Sequence, residues 1–88
     1  VWSNSKASFN KRKHGISFEE AQTVFYDENA IEYFDPDHSD DEDRFIMLGF
    51  SFKLRMLVVC YCTRTENTIR IISARKATRH EADNYRKG

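Results

Sequence analysis

Residues 55–79 read RMLVVCYCTRTENTIRIISARKATR, and this run decides the fold. Its first part, Arg55 to Thr63, is apolar at successive positions, as a central strand covered on both faces requires. Thr65 to Asn67 is a turn. Thr68 to Ala74 is the next strand, carried by the β-branched Ile69, Ile71 and Ile72. Thr78 and Glu81 then form a capping-box pair for a helix ending near Lys87 and Gly88. The join of strand and helix is crowded with cations: Arg75, Lys76 and Arg79. Arg70 lies five residues before Arg75, which in a regular strand puts it on the opposite face.

Upstream, Asp43 to Phe52 and Ala30 to Phe34 are two further strands, separated by the turn residues Asp35-Pro36-Asp37-His38. Lys53 and Leu54 fall in a hairpin turn. Two helices precede the strands. Ser3 caps the first, which runs to about His14 and stops at Gly15 in the left-handed conformation. Phe9 is expected to pack inward from it. Ser17 and Glu20 make a capping-box pair for the second, over about 17–26, whose Phe18, Ala21, Val24 and Phe25 recur at helical spacing. Short connections imply an antiparallel meander. The expected fold is α+β: two N-terminal helices, a four-stranded antiparallel sheet and a C-terminal helix, with the helices covering one sheet face. Residues 1–88 form a single domain, since a chain of this length builds one core.

The formal charge is zero, but it is segregated. Residues 27–43 carry nine acids and no base, whereas residues 44–88 carry ten bases and three acids. Local potential therefore matters more than the sum. Either the basic half meets a phosphate-bearing ligand, or its arginines pair with the acidic loop. No apolar run approaches a membrane span. Cys60 and Cys62 share one strand face, too close in sequence for a comfortable disulfide, and as reduced thiols they fit a cytoplasmic protein. The chain has no Gly-rich phosphate loop, Ser-His-Asp arrangement or zinc signature, and Asp35, Asp37 and His38 match no ligand spacing. No metal and no cofactor are expected, so an enzyme here works by positioning and charge.

Arginine forks match phosphate oxygens, which makes Arg75 and Arg79 the leading candidates, with Thr78 and the helix it caps beside them. Lys13 and His14 are the candidates for moving a proton. Lys6, Asn10 and Lys13 share one helix face.

These segments, in order, resemble the BrnT family of bacterial type II toxins, ribonucleases with a RelE-like fold. The resemblance rests on Trp2, Lys6, Asn10, Lys13-His14-Gly15, the run from Ile16 to Ala21 and Val24-Phe25. It continues in Asp35-Pro36-Asp37-His38, Arg44, Leu48-Gly49, Leu57 to Val59, Arg70 to Arg75, Ala77-Thr78, Glu81 and Tyr85. It implies RNA cleavage that blocks translation, and neutralisation by a BrnA-like antitoxin in a two-plus-two assembly that touches operator DNA only through the antitoxin. The expected chemistry is metal-independent attack by the ribose 2′-OH. Lys13, His14, Arg75, Arg79 and Tyr85 would serve the reaction, and Lys6, Asn10, Arg70, Lys76 and Thr78 would hold RNA. Family members often begin Phe-Glu-Trp-Asp, where this chain has Val1-Trp2-Ser3. Many carry a His near the end of the central strand, where this chain has Tyr61, so no general base is carried over there. The competing classes are a nucleic-acid-binding module that leaves RNA intact and a pure protein-interaction domain. Both would use the same basic face.

Overall fold

Leu57, Val59, Ile71 and Ala74 are fully or nearly fully buried, and they mark the sheet face on which the core is built. A computed structural model of the chain describes residues 1–40 and 42–87. Asp41 of the acidic loop and Gly88 beyond the last helix lie outside the described residues. The four strands are β1 (Ile31–Phe34), β2 (Arg44–Phe50), β3 (Met56–Thr65) and β4 (Thr68–Lys76). They form one antiparallel meander in the order β1-β2-β3-β4. Helix α1 (Asn4–His14) and helix α2 (Phe18–Gln22) precede it, and α3 (Arg79–Lys87) follows. Among the described residues no helix is long and apolar enough to cross a membrane.

Local chemistry sets the boundaries. The Ser3 hydroxyl accepts from the Lys6 N–H, and Gly15 closes α1 at φ 73° with its N–H on the Lys11 carbonyl. The second helix is shorter than its apolar spacing suggests. After Gln22 the chain tightens into a 3₁₀ turn over Thr23–Tyr26, where the Thr23 hydroxyl donates to the Glu20 carbonyl at 2.6 Å. Ser17 caps α2, but only half of its capping box forms. The Glu20 carboxylate, 1% exposed, turns instead to Arg55 Nε at 2.9 Å and the Ser51 hydroxyl at 2.6 Å. That half-buried ion pair ties α2 to the β2–β3 hairpin and holds the Glu20 carboxyl below its ordinary range, mainly through Arg55. The hairpin itself closes with Leu54 at φ 60°, a position usually given to Gly.

Gly49 shows how closely the layers approach. A Cβ placed there would lie 2.9 Å from Ala30 Cβ and 3.0 Å from Val24 Cγ1.

Two expectations need correction. The helices do not all cover one face. The core cluster joins Ile16, Phe18, Ala21 and Val24 of the N-terminal segment to Leu57, Val59, Ile71 and Ala74. Helix α3 lies on the other face, where Glu81 pairs with Arg75 and Tyr85 meets Phe50 edge-on at 5.3 Å. Arg75 is opposite Val58 and Val58 is opposite Leu48, so all three share that face with Phe50, two residues on from Leu48. Arg70 and Arg75 do not lie on opposite faces either. Cys60 pairs with Ser73 and Tyr61 with Ile71, which leaves Ile72 as an extra residue in β4. This β-bulge resets the alternation, so Arg70, Ser73 and Arg75 all point away from the core.

Candidate active site

Helix α1 carries Lys6, Lys11, Arg12, Lys13 and His14 and no acid. It has little apolar surface of its own. Ala7 packs on the core, Trp2 just before the helix sits edge-on to Phe18 at 5.9 Å, and a polar clasp completes the attachment. The clasp is Asn10, 3% exposed. Its Nδ2 donates to the Ile16 carbonyl at 2.9 Å and the Ala74 carbonyl at 2.8 Å, and its Oδ1 accepts from the Ala74 N–H at 3.0 Å. The side-chain amide thus bonds to β4 as a neighbouring strand would. Asn10 faces inward, and Phe9, one residue earlier, is rotated about 100° away. This is why Phe9, expected in the core, is 57% exposed, with Lys13 Nζ 5.7 Å from its ring centroid.

Beside the clasp runs a groove of about 460 Å³ between α1 and the edge of β4. Ser5, Lys6, Phe9, Asn10, Lys13 and His14 line one side, and Ile72 and Ser73 line the other. Four of the residues singled out from the sequence (Lys6, Asn10, Lys13 and His14) therefore meet in one place. The other four lining residues are Ser5, Phe9, Ile72 and Ser73. Phe9, expected to pack inward, opens onto the groove instead, and Ser73 lies next to the bulge at Ile72, for which the sequence gives no signal.

The remaining candidates gather elsewhere. At the β4–α3 junction Arg75 holds Glu81 in a bidentate pair, Nη1–Oε1 2.8 Å and Nη2–Oε2 2.9 Å. Glu81 also closes a full capping box: the Thr78 N–H donates to its Oε1 at 2.8 Å, and its own N–H donates to the Thr78 hydroxyl at 3.2 Å. Lys76, Thr78 and Arg79 are exposed around this pair. Ser73 and Arg75 lie on one strand face roughly 7 Å apart along the chain, which sets the junction next to the groove. Arg70 is farther along β4, with Arg64, Val1, Trp2 and Ser3 around a shallow depression. Tyr85 stands apart from the groove, its hydroxyl donating to Asp27 Oδ2 at 2.8 Å. Burial and the Asp27 carboxylate raise its pKa, so it stays protonated. Tyr61 is buried in the core, and its hydroxyl donates to Glu32. Among the described residues the acidic loop does not take up the leading arginines. Arg75 pairs with Glu81, and within the loop region Glu42 stands 4.0 Å from Arg44 and Asp35 bonds His38 at 2.9 Å.

The Arg75 guanidinium holds the Glu81 carboxyl down at about 2, against the opposing effect of burial. A carboxyl depressed in the folded state stabilises the fold above its unfolded pKa, near 4.3, and that contribution is lost as the pH falls toward 2. Urea unfolding of the wild type should therefore weaken across that window. Glu81→Gln should show a smaller acid dependence there. Equal acid dependence in the two proteins would mean that the pair does not hold α3.

An α+β domain with an α1–β4 groove of cations, an imidazole and an exposed aromatic has the makings of a site for a phosphate-bearing polymer. The sequence matches the family described as "Ribonuclease toxin, BrnT, of type II toxin-antitoxin system" over residues 2–81, and the chain belongs to that family. Its fold is that of a solved relative, the Brucella abortus ribonuclease toxin BrnT, whose crystal structure at 1.1 Å resolution superposes with a TM-score of 0.68. The two chains are 20% identical, and the match covers 90% of this chain and 95% of the other. A search of curated proteins gives no significant match.

Proposed function

We propose that the chain cleaves single-stranded RNA in the α1–β4 groove without a metal ion. The observation that carries this reading is the meeting of Lys6, Lys13 and His14 with the exposed Phe9 ring. Lys6 and Lys13 would bind phosphates, and a base would stack on Phe9. In the reaction the 2′-O–P bond forms as the P–O5′ bond breaks. One group takes the 2′-OH proton and another gives a proton to O5′, leaving a 2′,3′-cyclic phosphate and a 5′-OH. Lys13 and His14 are the groups for that exchange. Asn10 has both N–H donors committed, so its part is to hold the groove in shape. Arg79 has no recorded partner among the described residues and is the freer phosphate contact at the junction. Arg75 would bind RNA only with the donors that Glu81 leaves it. Lys76, Thr78 and Arg70 would extend the basic track. Tyr85 stays outside the chemistry while its hydroxyl is held by Asp27.

As a type II toxin the chain would be neutralised by an antitoxin. The expected form is a BrnA-like protein in a two-plus-two assembly in the cytoplasm, with operator DNA bound through the antitoxin. The direct test is a gel of labelled single-stranded RNA. Cleavage should persist in EDTA, yield cyclic-phosphate ends, and fail on the same sequence made as DNA, which lacks the nucleophile. Intact RNA in a shifted band would replace this reading with a binding module. Cleavage abolished by EDTA and restored by a divalent ion would overturn the metal-free mechanism.

A further inference from the structure

The two edges of the sheet are finished differently. Along β4 several of the outward backbone groups have partners. The Val1 nitrogen donates to the Ile69 carbonyl at 2.9 Å, the Ile71 N–H donates to the Val1 carbonyl at 2.9 Å, and Asn10 brackets Ala74. Along β1 they do not. The Asp35 N–H donates to the Arg44 carbonyl at 2.9 Å, and alternate residues of an antiparallel strand turn their polar groups the same way. Ile31, Tyr33 and Asp35 therefore face β2, while Glu32 and Phe34 direct N–H and C=O outward. Among the described residues nothing bonds to those outward groups. An open edge of this kind is a template for another strand.

The side chains around the edge define what fits. Tyr33 is 41% exposed and Phe34 52%, and as neighbours in a strand they project from opposite faces. Residues 27–43 hold nine acids and no base, and Glu28, Glu32, Asp37, Asp40 and Asp43 among them are exposed. A second copy of the chain would bring like charge against like charge, which disfavours self-pairing. A cationic strand would be attracted by the same residues.

We propose that β1 is the docking edge for an extended, basic segment of a partner protein, which adds to the sheet as a fifth strand. Main-chain bonds to Glu32 and Phe34 would supply affinity, and contacts with Tyr33, Phe34 and the acidic rim would supply selectivity. In a toxin–antitoxin pair the antitoxin is the chain that would carry such a segment. The inference needs nothing from the α1 groove and stands or falls independently of the cleavage chemistry.

An eight-residue alternating Arg-Val peptide, titrated into the isotope-labelled full chain and followed by NMR, tests it. The backbone amides of Glu32 and Phe34 should shift and gain protection from exchange. Phe34→Pro removes an N–H that faces away from β2, so the sheet should persist by circular dichroism while peptide affinity falls about tenfold or more. Asp37→Lys with Asp40→Lys, in an exposed turn, should also weaken binding without altering the edge. Equal binding of an alternating Arg-Pro peptide would reduce the effect to charge alone and overturn the proposal. So would shifts confined to residues away from β1, no binding at all, or dimerisation of the chain through β1.

Discussion

Replacing Lys13 and His14 together by alanine is expected to slow RNA cleavage by about 10²–10⁴-fold, the range that positioned proton-transfer groups supply. The fold should survive. Lys13 is exposed, and its recorded contact is with the face of Phe9, itself exposed. His14 sits half-buried in the last turn of α1. Losing the Lys13 cation from a helix C-terminus costs about 0.3–1 kcal/mol, well below what unfolds a domain. The single variants separate the roles. If His14 exchanges the proton, His14→Ala should lower kcat and leave KM nearly unchanged. If Lys13 mainly holds phosphate, Lys13→Ala should raise KM, make binding less sensitive to salt and leave kcat nearly unchanged. A double variant that cuts RNA and arrests growth like wild type would remove the chemistry from this groove altogether.

The sequence was most legible where one element dictates its own boundaries. Ser3 and Gly15 bracket α1, and Thr78 with Glu81 starts α3, because the cap chemistry is local. The four strands and their meander followed from apolar runs joined by short turns. What stayed hidden depends on partners distant in sequence. Glu20 has the spacing of a reciprocal cap, yet Arg55, thirty-five residues away, claims its carboxylate. Glu81 has the same spacing and keeps its cap while also holding Arg75, because the bidentate pair and the Thr78 N–H converge on it from one side. The extra residue at Ile72 is invisible in a run of β-branched side chains, and it moves Arg70 to the face of Arg75.

The same dependence on a distant partner makes Asn10→Ala the substitution with the largest expected effect on stability. Asn10 is the only member of α1 that is buried, and its amide spans sixty-four residues of sequence to reach Ala74. Truncation strands the Ile16 carbonyl and both polar groups of Ala74 beneath the helix. Each unsatisfied buried group costs about 1–3 kcal/mol, with some recovery if water enters from the strand edge, so a loss of about 3 kcal/mol is expected. For a domain of this size that should lower the melting temperature by more than 10 °C. Asn10→Asp should be at least as damaging, because it replaces two donors with an acceptor facing two carbonyl oxygens. The consequence reaches the groove. Lys6 and Lys13 are set against Ile72 and Ser73 by the docking of α1 on β4, and Asn10 is the hydrogen-bonded link between them. Assayed well below its melting point, Asn10→Ala should therefore lose cleavage more than its folded fraction explains. Activity that tracks the folded fraction alone would show that Trp2 and Ala7 hold the helix in register without the clasp.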